Sequence, residues 1–136
     1  GLRGAGAAAY QLNPDYAIVV ETTTAADIAG VQPHKRVCAL GKGAVVSFMD
    51  RSTLYDRKLY DFAFSLAERK NIRCQSKTLV AGGNDAGAIH KSRGGVKTID
   101  GIRAVPLSAF PFLRDRRRGF IRHCGSCARA CAKLCQ

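Results

Sequence analysis

Apolar residues fall in short unbroken runs along this chain, most of them closed by an acid or a glycine, and only one segment carries a helical repeat. Tyr16-Ala17-Ile18-Val19-Val20 is such a run, β-branched in its middle, and predicts a strand buried on both faces that ends on Glu21. Ala44-Val45-Val46-Ser47-Phe48-Met49, closed by Asp50-Arg51, predicts a second. Tyr55, Leu59, Phe62 and Leu66 then recur at intervals of four, three and four, with Ala63 and Ala67 alongside. That period predicts an amphipathic helix over residues 53–70, its aromatics in the core, with Ser52-Thr53 as cap and Asn71 as its end. Residues 72–80 alternate loosely as a third strand, residues 86–92 start a short helix, and Val96-Lys97-Thr98-Ile99 begins a fourth strand. Ahead of these, Ala7-Ala8-Ala9-Tyr10 ends a helix before the turn signal Asn13-Pro14-Asp15, and residues 30–36 read as loop. Strands alternating with helices make the fold class α/β, built on a sheet.

The chemistry of the chain centres on residues 80–96, where two Gly-Gly pairs frame Asn84, Asp85, His90, Lys91 and Arg93. Glycine pairs allow sharp turns and close approach of backbone to a ligand. The stretch follows one strand and precedes another, which puts it at a sheet end, where α/β folds place their sites. A glycine-rich turn with solvated charges is the alternative. Glu21, at the end of a buried strand, is likewise either a site carboxylate or a solvated strand terminus. Gly41-Lys42-Gly43 lacks the loop length and the Lys-Ser/Thr ending of a phosphate-binding P-loop, so that function is set aside.

Charge and cysteine divide the chain in two. Residues 102–136 carry eight Lys/Arg and one acid, a net of +7, while residues 1–101 carry fourteen and nine, a net of +5. Cys38 and Cys74 are scattered in the body and fit a reducing cytoplasm, whereas Cys124, Cys127, Cys131 and Cys135 crowd the tail. No apolar run approaches the length of a membrane span, and no signal-peptide pattern is present. The chain opens without Met on Gly1-Leu2-Arg3-Gly4-Ala5-Gly6, which reads as the inside of a fold.

Several motifs in order then acquire a common meaning. Gly1-Leu2-Arg3-Gly4-Ala5, the run from Ala17 through Glu21-Thr22-Thr23-Thr24 to Asp27, Gly41-Lys42-Gly43 through Asp50-Arg51, and Gly82-Gly83-Asn84-Asp85-Ala86-Gly87-Ala88-Ile89-His90 together resemble the dinuclear metallo-aminopeptidases of the glutamyl-aminopeptidase and tetrahedral-aminopeptidase type. Some members of that family carry the label endoglucanase or cellulase. The resemblance covers residues 1–98 and implies the C-terminal part of a zinc-peptidase-like α/β sheet. It implies removal of N-terminal residues from peptide substrates, with two divalent metal ions of the zinc or cobalt class. These polarise the scissile carbonyl and acidify a bridging water, while a glutamate acts as general base. It also implies a homo-oligomer in the cytoplasm, without membrane or nucleic-acid partners. Carried over residue by residue, it makes Glu21 a metal ligand and Asn84 and Asp85 cleft residues, while His90 falls outside the ligand set and is structural or cleft-lining.

Departures from the family are equally specific. Its adjacent Glu-Glu pair, supplying the general base and a ligand, belongs just before the position of Gly1, its first histidine ligand and bridging aspartate lie further upstream, and its inserted dimerisation domain is missing. Residues 1–101 are thus expected to be a partial catalytic domain, inactive by itself. After Thr98 the family continues toward a histidine ligand in a His-Ser-Pro motif, but here Arg103-Ala104-Val105-Pro106-Leu107-Ser108-Ala109-Phe110-Pro111-Phe112-Leu113-Arg114 follows. With permitted codons this segment can be read as the family motif out of frame, and a frameshift is expected, the motif histidine spanning the Ala109 and Phe110 codons. Residues 102–136 are then a frameshifted, basic, Cys-rich tail. The rival reading is a non-enzymatic basic protein whose His123, Cys124, Cys127, Cys131 and Cys135 bind metal. Its arginines Arg114, Arg116, Arg117, Arg118 and Arg122 would then bind nucleic acid.

Overall fold

The computed structural model describes residues 2–105. Helix α1 (Arg3–Leu12) leads into strand β1 (Tyr16–Thr24), and a 3-10 turn (Pro33–Lys35) precedes strand β2 (Ala44–Val46). Helix α2 (Arg57–Arg69), strand β3 (Cys74–Ser76), the short helix α3 (Ala86–Ile89) and strand β4 (Lys97–Val105) follow. The four strands form one mixed sheet in the order β1-β4-β2-β3. β1 runs parallel to β4 and β2 parallel to β3, while β2 and β4 meet antiparallel at Val45 and Ile102. The last described strand, β4, is therefore an inner strand of this sheet, and it carries the buried residues Thr98, Ile99, Asp100 and Ile102. Among the described residues no helix is long and apolar enough to cross a membrane.

β1 corrects two expectations. It continues past Glu21, because Thr22, Thr23 and Thr24 are β-branched and pair with Arg103, Ala104 and Val105. It also buries one face only. Val19 packs with Tyr55 and Ala86, whereas Tyr16, Ile18 and Val20 on the opposite face are exposed. β1 is also an edge strand of the described sheet.

The start of α2 also differs from the periodicity. The chain from Asp50 to Thr53 closes a tight turn (Asp50 N–H to Thr53 O, 2.9 Å), and Met49 bridges Leu54, so the helix starts only at Arg57. Its cap is Asp56, whose carboxylate accepts the Leu59 N–H at 3.0 Å, while its own N–H reaches Thr98 O at 3.1 Å and ties the helix to β4. Tyr55 is buried, but from the turn and not from a helix face, and Phe62 is exposed. Asp56→Ala is expected to cost about 1 kcal/mol of stability, measured by urea unfolding; an unchanged midpoint would contradict the cap. Asn71 ends the helix as expected, in the left-handed region at φ 52 with its N–H on Glu68 O.

The third strand is shorter than its alternation suggests. After Lys77, whose N–H still reaches Val46 O at 2.9 Å, the chain leaves β2: the Thr78 N–H and Oγ1 bind Val37 O and Arg36 O, pulling the segment toward the loop before β2. There Ala25, Val37, Cys38, Val45 and Ile102 form one apolar cluster, and Val19, Tyr55 and Ala86 form the other.

Candidate functional site

The site is assembled on the buried face of β1 and β4. In the parallel register Val19 pairs with Asp100 and Glu21 with Ile102, so all four project from one face. The loop between β3 and β4 lies over that face. The N–H of Asp85 points at Glu21 Oε1 at 3.4 Å, the long limit of a hydrogen bond. The strand acid and the glycine-framed loop, 64 positions apart, are thus brought together.

Asn84 and Asp85 play different parts. Asn84 is 7% exposed and its side chain is fully committed. Oδ1 accepts the Ala86 N–H at 2.8 Å, a local turn that starts α3, and Nδ2 donates to Tyr55 Oη at 2.9 Å. Asp85 is half-buried and contributes its backbone N–H. His90 lies one turn further on, its Nδ1 2.7 Å from Ala86 O. A carbonyl can only accept, so Nδ1 carries the proton and the ring is tied to its own helix.

Beneath the loop is a polar cluster that periodicity did not single out. Asp50 Oδ1 accepts from Ser52 N (2.7 Å), Thr53 N (2.8 Å) and Ser52 Oγ (3.1 Å), and Oδ2 accepts from Tyr55 Oη (2.7 Å). Burial alone would raise the Asp50 carboxyl, but the bonds from Tyr55, Ser52 and Thr53 outweigh it and hold it below the usual range. Tyr55 is pushed far above the phenol range, first by burial and then by its bond to Asp50, so it stays a neutral donor. The sequence signal for this turn was available: an Asp followed at two and three positions by Ser and Thr is a local turn former.

Asp100 is fully buried and was also missed, since an acid in the middle of an apolar strand has no periodic signature. Its Oδ1 accepts the Ser47 N–H at 2.7 Å, and Asn84 Nδ2 lies 3.5 Å from Oδ2. Burial raises its carboxyl, offset only in part by Ser47 and Tyr55. Such a group holds its proton more tightly folded than unfolded. Stability from it therefore falls as pH climbs from the unfolded value of about 3.9 toward the folded one, and the penalty is complete above that. Asp100→Asn keeps an acceptor for Ser47 N and removes the charge. The variant is expected to melt higher than its parent at about pH 8 and to converge with it near about pH 4. A lower melting temperature at the higher pH would contradict this.

Among the described residues no group of three or more His, Cys, Asp or Glu side chains could hold a metal ion. Glu21 is part of no such group, so the described residues do not by themselves fit a metal pair. The tail residues His123, Cys124, Cys127, Cys131 and Cys135, and the Ala109–Phe110 frameshift position, lie outside the described residues.

The mixed sheet with its helices has the fold of solved archaeal aminopeptidases. The chain belongs to the M42 glutamyl aminopeptidase family, whose sequence profile matches residues 1–102. An aminopeptidase candidate of Acetivibrio thermocellus is 36% identical over 107 residues, covering 79% of this chain and 31% of the relative. The crystal structure of a TET aminopeptidase from a marine sediment thaumarchaeon superposes with a TM-score of 0.72 at 35% identity, over 76% of this chain and 29% of that one. The Pyrococcus horikoshii TET1 peptidase, described as assembling into a tetrahedron or a large octahedral shell, gives a TM-score of 0.57 at 30% identity, over 79% and 30%. The chain spans about a third of the length of the relatives it matches.

Proposed function

We propose that residues 1–101 are part of the catalytic domain of a metal-dependent aminopeptidase that removes N-terminal residues from peptides. The observation that carries this is Glu21, set on the buried face of β1 beneath the Asp85 N–H within a segment that matches the family over residues 1–102. In this reading Glu21 is a ligand to one of two divalent cations of the zinc or cobalt class, and Asn84 and Asp85 lie at the substrate cleft. Such cations would acidify a water and polarise the scissile carbonyl. Since no group of three or more His, Cys, Asp or Glu among the described residues could hold a metal ion, residues 1–101 alone are expected to be inactive on this reading. We further propose a cytoplasmic homo-oligomer for the complete protein, by analogy with the TET1 assemblies, and a frameshifted origin for residues 102–136.

The test begins with the coding DNA, read in all frames upstream of Gly1 and past Gln136. Expected are a Glu-Glu codon pair just before Gly1 and His-Ser-Pro one base out of frame near Ala109. The protein translated from the repaired frame should release p-nitroaniline from aminoacyl-p-nitroanilides, and lose that activity to a chelator. A stop codon before Gly1, or a repaired product inert toward a full panel of such substrates with zinc and with cobalt, would overturn the reading.

A further inference from the structure

The loop that meets Glu21 is held from outside as well as by its own turns. It rests on the turn after β2 at three points. Arg51 N–H donates to Gly82 O at 2.8 Å. Ser52 fits between Gly83 and Gly87, where a Cβ would come within 2.6 Å and 2.4 Å of its Oγ. Tyr55 Oη takes the Asn84 amide at 2.9 Å. The first two contacts set how closely the loop approaches. Only the third reaches a side chain whose other end shapes the backbone at the site, since Asn84 Oδ1 accepts the Ala86 N–H and so fixes the peptide that presents Asp85 N–H.

We propose that Tyr55, oriented by Asp50, is a positioning residue: its hydroxyl locks the Asn84 amide and thereby sets the Asp85 N–H on Glu21. This rests on the aminopeptidase reading for its functional consequence, but not for its geometry. Asp100 is no substitute anchor, because at 3.5 Å its oxygen holds the amide far more weakly than Tyr55 does. Nor is the hydroxyl free to turn away. Its single proton is taken by Asp50 Oδ2 at 2.7 Å, which leaves a lone pair for Asn84. Because the Asp85 N–H reaches Glu21 at the long limit of a hydrogen bond, a small shift of the loop decides whether Glu21 keeps that donor. A carboxylate without it is freer to rotate, and a loosely held group loses rate more than affinity.

The experiment uses Tyr55→Phe, which keeps the ring that packs on Val19 and Ala86, with Asn84→Ala as a second variant that removes the other partner. Amide hydrogen exchange is followed by NMR on the 136-residue chain. In both variants the Ala86 amide and its neighbours Asp85 and Gly87 are expected to exchange at least about tenfold faster, while Ile99 and Ile102 in β4 keep their rates. Equal acceleration in β4 and the loop, or no change in the loop, would mean that Tyr55 only adds to global stability and would overturn the proposal. In the protein from the repaired frame, Tyr55→Phe is expected to lower kcat about tenfold with KM within about twofold. Local loosening with unchanged kcat would overturn the functional role. A repaired parent without peptidase activity would sink the aminopeptidase reading instead, and the exchange result would still decide whether Tyr55 positions the loop.

Discussion

Gly43→Ala is expected to abolish the β2–β3 half of the sheet. A Cβ at this position would lie 2.0 Å from the carbonyl oxygen of Arg73 and 2.4 Å from its carbon, and these are backbone atoms that no rotamer change can move. The residue also sits at φ +97, a conformation that L side chains rarely adopt. The same carbonyl accepts the Ala44 N–H at 2.9 Å, so pushing it away breaks the first link between β2 and β3. A penalty of about 4 kcal/mol or more follows, against a total stability for such a domain of roughly 5–15 kcal/mol. Gly41→Ala is the control. Its φ is also positive, at +73, but nothing lies within 4 Å of the added carbon, so only the conformational cost of about 1–2 kcal/mol remains. Circular dichroism melts of both variants decide the matter, and a Gly43→Ala protein that melts within a few degrees of Gly41→Ala would refute the close-approach argument.

Asp50→Ala should be nearly as damaging, for an electrostatic reason. It strands the buried hydroxyl of Tyr55 and the amides of Ser52 and Thr53, all of which now end on this carboxylate. Each buried donor without an acceptor costs about 1–3 kcal/mol, so a loss of roughly 3–5 kcal/mol is expected in urea unfolding. Asp50→Asn retains one oxygen for the Ser52 and Thr53 amides and should lose less. It should also lose a pH signature. A carboxyl held below its unfolded pKa contributes stability that is complete above the unfolded value and is lost as pH falls through the folded one. The gap between parent and Asp50→Asn is therefore expected to shrink on acidification below about pH 4. A gap that widens in acid would contradict the depressed carboxyl.

The two variants separate kinds of information. Gly43 could be marked in the sequence as a turn residue, but not as a point of contact with Arg73, thirty positions away. Asp50 and Tyr55 share the turn after β2, Asn84 lies in the loop before α3 and Asp100 in β4, and no local period links them. Tyr55 falls in phase with Leu59 and Phe62, and so reads as helix core. The turn held by Asp50 places it before the helix and aims its hydroxyl at the loop. Local hydrogen bonding at residues 50–53 overrode helical periodicity there.

By itself the sequence determined the α/β class, the presence of strands near residues 16, 44 and 97, the helix ending at Asn71, and the family resemblance through the glycine-framed loop and the strand bearing Glu21. These are properties of near neighbours: apolar runs, one helical period, and motifs whose residues are adjacent in the chain. Only the tertiary structure decided that β4 lies inside the described sheet between β1 and β2, that β1 leaves Tyr16, Ile18 and Val20 uncovered, and that the loop at Asp85 rests on Tyr55 and Asp50. Strand order and buried polar bonds join residues tens of positions apart. Their energies depend on which groups meet after water is excluded, and no window of neighbouring residues contains that.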